Sequence, residues 1–109
     1  MRDYNIYLKD IADAITRIEE YTKGLALTDF KANKLKQDGV IRNLIVIGEA
    51  AKMIPDNVKT ESKDIDWNKI VGLRDIVVHQ YFSIDVDLIW NIVTDNIPVL
   101  KNAISKFLK

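Results

Sequence analysis

The apolar residues of this chain recur at helical spacing over most of its length, which restricts it to a helical fold. In the first segment they step by four, three, four and three positions, at Tyr4, Leu8, Ile11, Ile15 and Ile18. This spacing places them on one face of a helix. Asp3 is a suitable N-cap, and Gly24 follows the last turn as a stop signal. The first helix is therefore predicted between these two residues.

A second, longer helical segment is predicted from a cap at Thr28–Asp29 to about Ile54. Its first half is polar, and Asp38–Gly39 is a candidate kink. From Val40 onward the segment is apolar on several faces, as expected for a central helix with partners on more than one side. The β-branched run at residues 45–47 is compatible with a strand, but the length of the segment favours a helix.

Two more helices are predicted after a polar loop. Asp66 is expected to cap a third helix over residues 67–81, and Ser83 or Asp85 to cap a fourth. Pro98 lies inside the fourth helix and should kink it without ending it. The chain contains no repeat and no linker rich in proline or glycine. The expected fold is all-α, a single domain over residues 1–109 that forms an antiparallel bundle of four main helices.

The composition excludes several classes of chemistry. With no cysteine and one histidine, the chain has no disulfide framework, no thiolate zinc site and no cysteine nucleophile. The longest apolar run, residues 44–47, is too short to cross a membrane, and the charged N-terminal segment does not resemble a signal peptide. We therefore expect a cytoplasmic protein. Sixteen basic and sixteen acidic residues cancel, so an RNA-binding surface must be local or assembled from more than one chain.

The only histidine lies close to an arginine and a tyrosine near the end of the predicted third helix. Arg74, His79 and Tyr81 could together bind a phosphate and move protons on it. On an ideal helix Arg74 falls at the centre of the apolar face, where an unpaired guanidinium is costly to bury. Either it forms a buried ion pair, with Glu49 as the candidate partner, or it borders a cleft or subunit interface and meets a ligand phosphate. The sequence leaves both readings open.

His79 lies about 140° from Arg74 on the same ideal helix, one turn after Asp75. The Asp75 carboxylate could orient the imidazole, although a lone histidine at a helix end is more often a cap or a surface residue. For Arg74 and His79 to act on one ligand, the helix must unwind before His79, or two chains must share the site. RNA cleavage without a metal usually needs a general base and a general acid, and a symmetric dimer supplies two histidines.

These residues also carry a resemblance to a known family. Arg74, four intervening residues and His79 fit the Arg-x4–6-His motif of HEPN domains, with the polar Asp75 directly after the arginine. The extension to Tyr81 gives Arg-x4-His-x-Tyr, which resembles the HepT toxins of HepT–MntA toxin–antitoxin pairs. Three further segments are similar to that family: residues 42–52, 67–75 and 89–93. The resemblance covers nearly the whole chain.

The resemblance implies an all-α HEPN bundle that forms a homodimer, with two motifs facing a shared cleft. It implies an endoribonuclease that needs neither metal nor cofactor, with tRNA as the expected substrate. His79 would be the acid–base residue for attack of a ribose 2′-OH on the neighbouring phosphate. Arg74 would stabilise charge on the phosphoryl oxygens, and Asp75 would position one or both. Apart from the resemblance, Glu49 is the residue that we expect to hold Arg74.

The resemblance also implies a regulatory partner. This is a cognate antitoxin, an MntA-like minimal nucleotidyltransferase, which neutralises the toxin by attaching AMP to the motif tyrosine, here Tyr81. An alternative function is a non-catalytic helical module that binds a nucleotidyltransferase and its nucleotide, in which His79→Ala would change little. A metal enzyme within a helical bundle would need Glu-x-x-His pairs, and the sequence contains none.

Several other conspicuous positions have mainly structural interpretations. Gly48 and Gly72 are expected to let helices approach closely, within the chain or across a dimer. Trp67 and Trp90 are expected to be core or interface anchors rather than platforms for stacked bases. Residues 31–52 carry five basic against two acidic side chains, and a solvated helix face is the favoured explanation for most of these lysines.

Overall fold

A computed structural model describes residues 4–62, 65–75 and 85–108. Within these ranges all regular structure is helical, which confirms the all-α prediction. In chain order the elements are α1 (Tyr4–Thr22), α2 (Leu27–Lys31), α3 (Lys34–Lys52), α4 (Asp56–Lys59), α5 (Trp67–Val71), α6 (Val86–Asn91), a π-helical turn (Ile92–Asn96) and α7 (Ile97–Phe107). The four predicted helices correspond to α1, α2–α3, α5 and α6–α7. The predicted caps Asp3 and Ser83 lie outside the described residues.

Helix α1 has the predicted extent and most of the predicted buried face. The side chains of Leu8, Ile11, Ile15 and Ile18 are buried, as their spacing requires, whereas Tyr4 in the first turn is 37% exposed, so the prediction is wrong at Tyr4. After the last turn, Gly24 has a φ of 74°, a left-handed conformation that glycine adopts without steric cost. The stop signal at Gly24 is therefore confirmed.

The second predicted helix is divided into α2 and α3, so the prediction of one continuous helix from Thr28–Asp29 is wrong. Asp29 lies inside the first turn of α2, and its carboxylate accepts a hydrogen bond from the backbone N–H of Ala26 at 2.9 Å. The long helix begins after Asn33 instead, whose Oδ1 accepts from the backbone N–H of Lys36 at 3.1 Å. A side-chain acceptor at this position satisfies one of the free N–H groups of the first turn.

Two contacts explain why the chain breaks between α2 and α3. Phe30 is fully buried and its ring packs on that of Trp90, with 5.1 Å between the ring centroids. The Gln37 amide donates to the backbone carbonyls of Phe30 and Lys31 at 2.8 and 2.9 Å, so the end of α2 is hydrogen-bonded without a continuing helix. Trp90 is partly buried and packs against the core, in agreement with the expected role as a core or interface anchor.

Helix α3 is central and packs against α1, α2 and α5. It runs without interruption from Lys34 to Lys52, so the predicted kink at Asp38–Gly39 is wrong. A β-carbon on Gly39 would lie 2.9 Å from the ring atom Cε2 of Tyr21. The glycine therefore serves contact between α1 and α3 rather than a bend.

The C-terminal helix begins as predicted but is not a single α-helix. Asp85 caps α6, since its Oδ1 accepts from the backbone N–H of Leu88 at 3.2 Å. The π-helical turn Ile92–Asn96 then separates α6 from α7. Pro98 follows this turn; it has no N–H, and its ring would clash with the carbonyl four residues earlier in a regular α-helix. The wider turn avoids this clash.

One hydrophobic core joins α1, α3, α5 and the C-terminal helices. Trp67 at the start of α5 belongs to it, as expected, with 8% of its surface exposed. Among the described helices, none combines the length and apolar character needed to cross a membrane.

Candidate active site

The segment that carries Arg74 is interrupted by a turn at Gly72. Asp66 caps α5 as predicted, because its Oδ1 accepts from the backbone N–H of Lys69 at 3.2 Å. Helix α5 ends at Val71, Gly72 forms a turn, and residues 73–75 are again helical. The prediction of a single regular helix from residue 67 is therefore wrong at this turn.

The interruption changes which side chains face the core. The buried residues of this segment are Trp67, Ile70 and Leu73, at every third position. Arg74 follows this buried row, and 48% of its side chain is exposed. Its predicted place at the centre of the apolar face is wrong, because the ideal helix assumed no turn at Gly72.

Gly48 brings helix α3 against this turn. A β-carbon on Gly48 would lie 3.1 Å from the backbone nitrogen of Arg74 and 3.3 Å from the carbonyl oxygen of Val71. The predicted close approach at Gly48 is therefore confirmed. A β-carbon on Gly72 would meet only the carbonyls of Asn68 and Lys69 among the described residues. The close approach expected at Gly72, within the chain or across a dimer, stays a prediction.

Glu49 is the contact partner of Arg74 that the sequence suggested. Its carboxylate forms an ion pair with the guanidinium Nε. A second carboxylate, that of Asp75, lies 3.4 Å from Nη1. Both members of the Glu49–Arg74 pair are about half exposed, so the pair is not buried. An exposed pair of this kind contributes about 0–1 kcal/mol.

The ion pair borders an open cavity of about 320 Å³. The cavity is lined by Gly48, Glu49, Lys52, Val71, Arg74 and Asp75. Its charged side chains are two carboxylates and two cations. The structure thus combines the two readings of Arg74: it has an acidic partner, and it also faces an opening that a ligand can enter. A guanidinium in this setting can donate hydrogen bonds to phosphate oxygens.

Lys52 is the one member of this charged group that the sequence did not single out. It is the last residue of α3, three positions after Glu49, so both lie on the same face of the helix. The spacing to Glu49 was visible in the sequence, but the approach of the Arg74 segment to this face was not. His79 and Tyr81 lie outside the described residues, and their positions relative to Arg74 stay predictions.

Comparisons with known proteins cover nearly the whole chain. Residues 11–107 match the family model described as "Ribonuclease HepT-like", a range that includes both the cavity and the motif. A protein of Thermococcus cleftensis named "Probable ribonuclease HepT" is 42% identical over 108 residues, which are 99% of this chain and 98% of that protein. The resemblance stated from the motif is confirmed.

Two proteins of Methanocaldococcus jannaschii whose names include the term RNase are also similar. One is 40% identical over 99% of this chain but only 49% of its own length, and its name also includes gamma-glutamylcyclotransferase. The other is 36% identical over 94% of each chain. No solved structure gives a significant match.

Proposed function

Because the chain belongs to the HepT-like ribonuclease family, we propose that it is a metal-independent endoribonuclease and the toxin of a toxin–antitoxin pair. It acts in the cytoplasm, with tRNA as the expected substrate. The observation that carries this proposal is Arg74, which Glu49 holds at the edge of an open cavity. His79 and Tyr81 follow it at the motif spacing.

Arg74 binds the scissile phosphate in this mechanism. Glu49 occupies Nε and Asp75 is near Nη1, while Nη2 has no partner among the described residues. Nη2 and the second hydrogen of Nη1 can therefore donate to two phosphate oxygens. Charge develops on these oxygens as the 2′-oxygen attacks, and the guanidinium stabilises it. Glu49 acts by orienting Arg74 rather than by touching RNA.

His79 moves the protons. The ribose 2′-OH loses its proton to a general base as its oxygen bonds to phosphorus, and the bond from phosphorus to the 5′-oxygen breaks. A general acid protonates the departing 5′-oxygen, so the products end in a 2′,3′-cyclic phosphate and a 5′-hydroxyl. One histidine cannot serve as base and acid in the same step. We therefore assign the active form to a homodimer, in which each chain contributes one histidine.

Tyr81 is the regulatory site. A cognate MntA-like nucleotidyltransferase would transfer AMP to its hydroxyl oxygen from a nucleoside triphosphate, with pyrophosphate as the leaving group. The added phosphate is negative and bulky and lies seven residues after Arg74. It would exclude RNA by charge repulsion and by occupying space.

Cleavage of total tRNA by the purified protein in EDTA tests the proposal. The parent and His79→Ala are compared, the RNA ends are identified, and the intact mass of each protein is recorded. Cleavage by the parent alone with cyclic-phosphate ends supports the ribonuclease and the role of His79. No cleavage with added AMP on Tyr81 identifies a neutralised toxin. No cleavage without added mass favours the non-catalytic module, in which Glu49 and Asp75 simply neutralise Arg74.

A further inference from the structure

The cavity beside Arg74 contains a second cation that the mechanism above does not use. Lys52 lines this cavity, is exposed and forms no ion pair with the residues that the structure describes. Arg74, in contrast, is paired with Glu49 and lies close to Asp75. Among the described residues, Lys52 is therefore the cation of this cavity that has no carboxylate within ion-pair distance.

The position of Lys52 follows from the packing of α3. Gly48 fixes one face of the helix against the backbone of Arg74. Lys52 is four residues further on, one turn along the same face. Its side chain is long and flexible and ends in three donors. Such a group can contact a phosphate beside the one that the rigid Arg74 guanidinium binds.

We propose that Lys52 is a substrate-binding residue that contacts an RNA backbone phosphate next to the scissile one. This inference rests on the proposed ribonuclease function. The two carboxylates of the cavity repel a polyanion, and the paired guanidinium of Arg74 offsets only part of that repulsion. With Lys52 the charges of the two carboxylates and two cations balance, and its ammonium group, which forms no ion pair with the described residues, can donate to a second phosphate beside Arg74.

Lys52 also has a structural explanation, because a positive charge in the last turn of a helix interacts favourably with the helix dipole. The salt dependence of RNA binding separates the two roles. Each phosphate that a protein neutralises on a single strand contributes about −0.7 to the slope of log affinity against log salt concentration, and about −0.9 on duplex nucleic acid. A lysine that only stabilises the helix contributes nothing to this slope.

The experiment measures binding of fluorescently labelled total tRNA by anisotropy between low and moderate KCl concentrations. All proteins carry His79→Ala, so that the RNA stays intact. Lys52→Gln, Lys52→Arg and the matched control Lys34→Gln are compared in this background. Lys34 is exposed, is the first residue of the same helix, and lies roughly 27 Å from Lys52 at the usual helical rise.

We expect Lys52→Gln to weaken binding about three- to tenfold and to make the salt slope shallower by about 0.7 to 0.9. Lys52→Arg should retain the parent slope, and Lys34→Gln should change neither quantity. Equal slopes for Lys52→Gln and its parent would overturn the inference. If Lys52→Gln binds like its parent while the wild-type protein still cleaves tRNA, the ribonuclease function stands without this role. An absence of both binding and cleavage in protein whose intact mass shows no added AMP would overturn both proposals.

Discussion

The substitution Gly48→Ala should displace Arg74 in the candidate site more than it destabilises helix α3. The new β-carbon would lie 3.1 Å from the backbone nitrogen of Arg74 and 3.3 Å from the carbonyl oxygen of Val71. Both atoms belong to the backbone, so the turn itself must move by a few tenths of an ångström. Gly48→Ala therefore tests whether the contact of α3 with this turn positions Arg74.

Two opposing terms set the expected change in stability. Alanine is favoured over glycine inside a helix by about 0.8–1.0 kcal/mol. An extra methyl group forced into a packed contact typically costs about 1–3 kcal/mol. The free energy of unfolding should therefore fall by about 0–2 kcal/mol. Since a misplacement of about 1 Å can cost roughly a hundredfold in rate, a shift of a few tenths of an ångström should lower kcat/KM roughly four- to tenfold.

Gly39→Ala is the matched control in the same helix. Its β-carbon would lie 2.9 Å from Cε2 of Tyr21, which is the end of a side chain with 36% of its surface exposed. The ring can rotate away at a cost of about 0.5–1.5 kcal/mol, close to the gain in helix propensity. Its unfolding free energy should stay within about 1 kcal/mol of the parent, with tRNA cleavage unchanged.

Urea unfolding and steady-state cleavage of tRNA in EDTA measure both quantities for the two variants. A Gly48→Ala variant that is as stable as Gly39→Ala and cleaves RNA at the parent rate would show that the contact at Gly48 does not position Arg74. Equal losses of activity in the two variants would also contradict this role, because the effect would then belong to helix α3 as a whole.

Two other changes test the ion pair and the start of α3. Glu49→Gln should change the free energy of unfolding by less than about 1 kcal/mol, because the ion pair is half exposed. It should nevertheless lower kcat about tenfold without raising KM, since Arg74 loses its orienting partner. The control Glu19→Gln, which breaks the exposed ion pair of 2.8 Å to Lys101, should leave cleavage unchanged. Asn33→Ala should lower the free energy of unfolding, measured in urea, by about 0.5–2 kcal/mol. Asn33→Asp should retain most of the parent's stability, because its carboxylate can also accept the capping hydrogen bond. Equal losses for both variants would contradict the capping role.

The elements that the sequence predicted correctly depend on local signals. The apolar spacing of α1, the stop at Gly24 and the caps Asp66 and Asp85 each involve residues within one or two turns. The break between α2 and α3 was missed because its cause is distant in sequence. Phe30 packs on Trp90, sixty residues later in the chain. No sequence pattern near Thr28–Asp29 indicates that contact.

In the candidate site, too, local signals were sufficient for some features, whereas others depend on contacts between distant segments. The sequence predicts Glu49 as the partner of Arg74 from the premise that the guanidinium is buried; the partner is right, but the premise is wrong, because both side chains are about half exposed. The exposure of Arg74 was not predictable from an ideal helix, because the turn at Gly72 shifts the buried face to Leu73. No sequence signal separates Lys52 from the solvated lysines of residues 31–52, because its proposed role depends on a segment more than twenty residues away in the sequence.

The exposure of the Glu49–Arg74 pair is consistent with a site that binds phosphate. A half-exposed ion pair such as Glu49–Arg74 stabilises the protein by at most about 1 kcal/mol. A hydrogen bond to a charged group, such as one from the guanidinium to a phosphate, contributes about 1.5–3 kcal/mol. Glu49 occupies only the Nε side of the guanidinium, so a phosphate can bind Nη2 without displacing it. A fully buried pair would orient Arg74 equally well but would keep RNA away from it. The turn at Gly72 thus leaves Arg74 both oriented by Glu49 and open to a ligand.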